Sequence, residues 1–145
     1  MWLWFGDEEP KEEPRFFDDI DERLAYAEYQ ELWDVSFPRV VENQLDSMHV
    51  PFVHRATIGR GNRTLVNGPA VKWIDKGSFF VYVFNEEDRG QRAKKPWELN
   101  PEGSRVYLEF IFPNVWQNHI SEGMSVVAFF APVNRKKTMI YLRFY

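Results

Sequence analysis

Two of the three histidines of this 145-residue chain fall in one short segment, Asn43-Gln44-Leu45-Asp46-Ser47-Met48-His49-Val50-Pro51-Phe52-Val53-His54. Neutral imidazoles are the commonest transition-metal ligands, and two of them with one carboxylate, leaving positions open, suit oxygen chemistry at non-haem Fe(II). The pattern is Asn-x2-Asp-x2-His-x4-His. On a helix, Asn43, Asp46 and His49 recur at every third residue and form one polar stripe, with Asp46 placed where its carboxylate can meet the His49 ring. A carboxylate against a ligating imidazole fixes its tautomer. His54 lies five residues past His49, which an unbroken helix turns about 140° away, so the rings converge only if the helix bends or stops between them. Pro51 supplies the stop, because it has no N–H for the Ser47 carbonyl and biases Val50 away from helical angles.

The elements around this segment follow from caps and periodicity. Ser36 and Pro38 predict a helix start, the serine as cap and the proline in the first turn where its missing N–H does no harm. Val41, Leu45 and Met48 form the predicted apolar face, packed on a sheet while the Asn43, Asp46 and His49 stripe turns to a pocket. A short strand is expected before the segment, within 21–33. After Gly61 the texture predicts strands over 63–67, 70–74, 79–85, 105–112, 115–120, 124–131 and 138–145. Asp75-Lys76-Gly77-Ser78 and Ser121-Glu122-Gly123 carry the glycine that tight hairpins place at positive φ, and Asn134-Arg135-Lys136-Lys137 is a longer polar connection. An antiparallel meander follows, which the strand pattern alone allows to be a barrel or an open sheet.

Together with Val50-Pro51-Phe52-Val53 and Thr57-Ile58-Gly59-Arg60-Gly61, the residues Asn43, Asp46, His49 and His54 resemble the catalytic domain of Rieske non-haem iron oxygenases, in the branch of pheophorbide a oxygenase, vanillate demethylase and dicamba demethylase. The resemblance implies an α+β helix-grip fold (START-like), an antiparallel sheet wrapping a helix. By motif it implies that His49 and His54 bind the mononuclear Fe(II), that Asp46 bridges to the Rieske cluster of a neighbouring subunit, and that Asn43 lies beside the metal. It further implies O2, a reductase or ferredoxin carrying electrons from a reduced nicotinamide, an apolar or aromatic substrate that is hydroxylated or oxidatively demethylated, and a homotrimer in the intact protein. A non-redox helix-grip domain binding an apolar small molecule is the alternative.

The chain has no cysteine, so it carries no Rieske [2Fe–2S] cluster, whose ligands are two Cys and two His. Its opening, Met1-Trp2-Leu3-Trp4-Phe5-Gly6-Asp7, resembles the closing strand of a Rieske domain. The expected division is therefore 1–22, the end of that domain and an acidic linker, and 23–145, a partial catalytic domain. In the family the third ligand is an aspartate on a helix roughly a hundred residues past the second histidine, consistent with a triad assembled from distant segments. Asn134 to Tyr145 contain no carboxylate, and Thr138 to Tyr145 has the composition of a strand. The expectation is a fold incomplete at the C-terminus and a chain inactive by itself.

Aromatic strand residues Phe110, Phe112, Trp116 and Phe129 are candidates to line a substrate pocket, with His119 as a further contact. Such residues more often form core, and a lone strand histidine is more often a satisfied structural group. Gly59-Arg60-Gly61 lacks the fuller pattern of a phosphate loop. Arg89, Arg92, Lys94 and Lys95 offer a basic patch for an acidic partner or an ordered lid, although such a run is more often merely solvated. The net charge of −4 is unevenly placed, since nine acids face only Lys11 and Arg15 between Asp7 and Glu22. That start disfavours nucleic acid, and with no apolar run of membrane-spanning length and no basic leader the chain is expected in the cytoplasm.

Overall fold

Alternation of apolar and polar residues, punctuated by short polar turns, builds one sheet of seven antiparallel strands in the computed structural model, which describes residues 6–21, 23–58 and 63–145. In chain order the elements are β1 (Ala27–Trp33), α1 (Phe37–Leu45), α2 (Val50–Val53), β2 (Leu65–Trp73), β3 (Ser78–Glu86), a 3-10 turn (Pro96–Glu98), β4 (Tyr107–Ile111), β5 (Val115–Ser121), β6 (Met124–Asn134) and β7 (Lys137–Phe144). The spatial order is β1-β7-β6-β5-β4-β3-β2. β2 to β7 form the expected meander, while β1 pairs with β7, so the segment carrying the histidines connects one edge of the sheet to the other. This open sheet with few helices is an α+β arrangement consistent with a helix grip, and it is not a closed barrel. Of the closing strand expected at Met1–Asp7, residues 1–5 lie outside the described residues and Gly6 and Asp7 form an exposed bend; the Gly59–Gly61 stretch also lies outside them.

The side chains of α1 explain where the core sits. Val40 is fully buried in one cluster with Val81, Leu108, Phe110, Trp116, Ala128, Phe130 and Ile140, and Phe37, Val41 and Leu45 pack around it. Burying a valine in this way stabilises by about 1.5–3 kcal/mol. Met48, predicted on this face, is 43% exposed, because α1 ends before it is reached. Strand register assigns the two faces: Phe79 pairs with Phe110 and Phe110 with Trp116, all towards α1. Their neighbours in sequence point away, and there Ile111, Val115 and Val127 enclose Phe17 in a second cluster.

Several local expectations are corrected. Ser36 precedes α1 in an extended conformation but its hydroxyl makes no cap bond; its carbonyl instead accepts the N–H groups of Arg39 and Val40. The strands predicted at 63–67 and 70–74 are one strand, β2, with a register shift between Asn67 and Ala70. Gly68 there adopts φ +103°, and Pro69, which cannot donate to a ladder, is accommodated as a bulge rather than a turn. Gly123 has the positive φ expected of its hairpin; Gly77 does not, and its turn is closed by Asp75 Oδ1 accepting the Gly77 N–H at 2.7 Å. The longer connection at 134–137 is a tight turn, since Asn134 pairs directly with Lys137.

Candidate metal centre

Asp46 decides the local path of the histidine segment. Its N–H completes α1 by donating to Glu42, but its own backbone leaves helical angles, and its side chain turns forward so that Oδ1 accepts the N–H groups of Met48 at 3.0 Å and His49 at 3.3 Å. A short side-chain acceptor that competes for backbone donors in this way ends a helix. The helix therefore stops at Leu45, before Pro51 acts. Pro51 sits instead in the first turn of α2, where its missing N–H and fixed φ favour a helix start. Pro51 as a terminator is thus corrected to Pro51 as an initiator.

His49 and His54 flank this single turn, one at each end. Their ring centroids lie 5.3 Å apart and the planes cross at 65°, a separation at which two imidazoles can share one ion through bonds of about 2 Å. Asp46 Oδ2 lies 3.4 Å from His49 Nδ1. That nitrogen is buried and makes no hydrogen bond, so the carboxylate faces the ring without yet engaging it. Asn43 is exposed on α1, its Oδ1 accepting from Gln44 Nε2 at 3.4 Å. The three-residue stripe predicted for one helix is therefore broken after Asn43, because only Asn43 belongs to α1. Among the described residues, no group of three or more His, Cys, Asp or Glu side chains is placed to hold a metal ion. The segment gathers two imidazoles and one carboxylate, and β7 occupies 137–144 as a strand without an acid.

The five candidate pocket residues do not converge. Phe110 and Trp116 lie in the core beneath α1. Phe112, just past β4, is half exposed and packs against Trp73, Phe79 and Phe110 at centroid distances of 6.4, 6.0 and 5.2 Å. His119 and Phe129 project from the opposite face, His119 stacked on Tyr107 at 4.0 Å and Phe129 on Phe16 at 5.8 Å. Phe129 also lines an open groove of about 770 Å³ with Phe16, Tyr29, Tyr141, Leu142 and Arg143. No residue of the histidine segment borders that groove. The segment's geometry, rather than the groove's size, therefore identifies the candidate metal centre.

The basic loop is largely charge-compensated. Arg89 pairs with Glu87, Lys94 with Glu86, and Arg92 with both carboxylate oxygens of Glu98 at 2.8 Å. Arg92 first, then the Lys95 N–H, draws the Glu98 carboxyl down to about 2. A free basic patch there is corrected in part: Arg89, Arg92 and Lys94 pair with the acids at 87, 98 and 86, while Lys95 Nζ lies 5.0 Å from the centroid of the Trp97 ring. Sequence reasoning also missed a polar cluster on the outer face, where Gln117 is fully buried and its Nε2 donates to Asp19 at 3.0 Å. The alternation of Val115, Gln117 and His119 on one strand face was its available signal.

Among the described residues no helix is long and apolar enough to cross a membrane. No curated protein matches the chain significantly. Residues 33–145 match the family described as the vanillate O-demethylase oxygenase C-terminal domain, within the Rieske oxygenases, and so span β1's last residue, the whole histidine segment and every later strand. With that match covering most of its length, the chain belongs to the vanillate O-demethylase oxygenase C-terminal domain family.

Proposed function

We propose that the chain forms the mononuclear-iron domain of an oxygenase component, with His49 and His54 as two protein ligands of Fe(II) and Asp46 orienting His49. The carrying observation is the 5.3 Å approach of the two rings across α2 beside a carboxylate 3.4 Å from His49 Nδ1. With Nδ1 facing Asp46, Nε2 is the atom of His49 left to ligate, and a carboxylate behind a ligating histidine raises its basicity and holds its orientation. The N–H groups of Met48 and His49 pin Asp46 in that role. Bound here, Fe(II) supplies the redox centre for O2 activation, with hydroxylation or oxidative demethylation of an apolar, aromatic substrate as the outcome. Electrons would be supplied from a reduced nicotinamide through a reductase or ferredoxin and a Rieske cluster, which this cysteine-free chain cannot itself ligate. In this reading Asp46 is the point of contact for that cluster, Asn43 is the residue beside the metal, and the working assembly is a homotrimer.

Two imidazoles hold Fe(II) weakly, because Fe(II) stands low in the divalent affinity order. Anaerobic titration of the chain with Fe(II), or with Co(II) read by its visible absorption, should show weak binding that His49→Ala and His54→Ala each abolish. Tight, stoichiometric metal that survives both substitutions would sink the assignment. A second reading, an apolar-ligand domain without redox chemistry, is favoured by the lack of a third ligand among the described residues. It predicts ligand binding unchanged by His49→Ala.

A further inference from the structure

A sheet that does not close into a barrel has two edges, each presenting a row of backbone N–H and C=O groups that no strand of the sheet satisfies. The two edges of this sheet are built differently. At β2 the ladder is interrupted between Asn67 and Ala70, Pro69 has no N–H to offer, and the connection between β3 and β4 lies against the strand. There the Lys94 N–H donates to Asn67 Oδ1 at 2.7 Å, and the Lys94 carbonyl accepts from the Gly68 N–H at 3.4 Å. Bulges, prolines and covering loops keep an edge strand from pairing with another chain. Among the described residues, β1 at the other edge has none of these devices.

All seven residues of β1, Ala27 to Trp33, pair with β7 without a register shift. Among the described residues no strand lies on its other side and no loop bonds its backbone, and six of the seven residues are exposed. In an antiparallel ladder alternate residues bond one neighbour, so the remaining N–H and C=O groups of β1 face outwards. Charges are the usual protection of such an edge, but here they are engaged inside the chain: Glu28 Oε1 accepts from Arg143 Nε at 2.7 Å, and Glu31 Oε2 accepts from Trp33 Nε1 at 2.9 Å. Tyr29 and Leu32 add exposed apolar surface along the strand.

We propose that the free edge of β1 pairs antiparallel with β1 of a second copy, joining two sheets into one about a two-fold axis. The residue order favours this occupant. A two-fold axis perpendicular to the sheet keeps every side chain on its own face, so it passes through a residue that lies opposite itself. With Gln30 on the axis, all seven residues find a partner: Gln30 meets Gln30, Tyr29 meets Glu31, Glu28 meets Leu32 and Ala27 meets Trp33. No acid lies directly opposite another acid, the arrangement that opposes pairing. Because the β2 edge is blunted, the joined sheet stops at two copies instead of growing into a fibre. The pairing uses no residue of the histidine segment and does not rest on the metal reading; with a three-fold axis elsewhere on the domain it would join two trimers.

Sedimentation equilibrium from about 1 μM to 1 mM, with hydrogen exchange at both ends of that range, tests the pairing. The mass should double as concentration rises, and alternate amides of β1, open at the low end, should exchange more slowly at the high end. Gln30 is exposed, so replacing it leaves the fold intact. Gln30→Glu sets two carboxylates face to face on the axis and should weaken pairing about two- to fivefold. An equimolar mixture of Gln30→Glu and Gln30→Lys should restore it. A mass that does not double, β1 amides that stay open when it does, pairing unchanged in Gln30→Glu, or a mixture that pairs no better than Gln30→Glu alone overturns the proposal.

Discussion

Replacing Asp46 by alanine and by asparagine separates the backbone capping that the structure shows from the metal-orienting role proposed for the same side chain. The first is backbone capping, through Oδ1 and the N–H groups of Met48 and His49 at 3.0 and 3.3 Å. Loss of a side-chain cap costs about 0.5–2 kcal/mol. Because Asp46 is half exposed, water replaces part of what is lost, and Asp46→Ala should destabilise by about 1 kcal/mol, a fall in Tm of about 3 °C for a chain of this size. Asparagine keeps the accepting oxygen, so Asp46→Asn should cost only a few tenths of that. The second task is orienting His49, where removing an outer-sphere carboxylate weakens metal binding about tenfold. Both substitutions remove the charge, so both should lose that tenfold, whereas only alanine loses the cap. Urea unfolding with the slope checked for constancy gives the first quantity, and Co(II) titration the second. Equal destabilisation by alanine and asparagine would refute the capping argument, and unchanged Co(II) affinity in Asp46→Asn would refute the orienting one.

Val40→Ala should destabilise by about 2 kcal/mol, since it empties a fully buried site between α1 and the sheet, and thermal unfolding followed by circular dichroism checks this. Glu98 is an acid whose value is depressed from 4.5 to about 2 by Arg92 and the Lys95 N–H. Its contribution to holding the 96–98 turn is therefore complete above pH 4.5 and lost as pH falls towards 2. An NMR titration of the Glu98 side chain should place its midpoint near 2, and Arg92→Ala should raise it towards 4.5.

Much of the sheet was legible because its hairpins are marked by local chemistry, as at Ser121-Glu122-Gly123, where positive φ at Gly123 is needed. The break at Gly68-Pro69 misled because a proline in a strand usually ends it, and only the register of β3 beyond it shows that the ladder resumes. The histidine segment stood out in the sequence as a set of residue types, and its two rings lie 5.3 Å apart. Its helix boundary was not legible, since it depends on where the Asp46 side chain turns. The pocket residues were chosen without using strand parity. Trp116 and His119 are three apart on β5 and must point to opposite faces, a signal that was present in the sequence. The partner of Gln117 was hidden because Asp19 lies 98 residues earlier in a stretch with no periodic pattern.

The placement of β1 has a consequence for the order of assembly. β2 to β7 can zip together in chain order, through tight turns everywhere but the 87–106 connection between β3 and β4, whereas among the described residues β1 pairs only with β7, Ala27 against Phe144. Contacts of such high sequence separation carry the largest loop-closure cost and form late. The histidines lie between β1 and β2, on the stretch whose two ends are fixed only when opposite edges of the sheet are both in place. During synthesis that stretch is made early and fixed late, after β7 has emerged, so the rings of His49 and His54 come together only when the sheet is nearly complete.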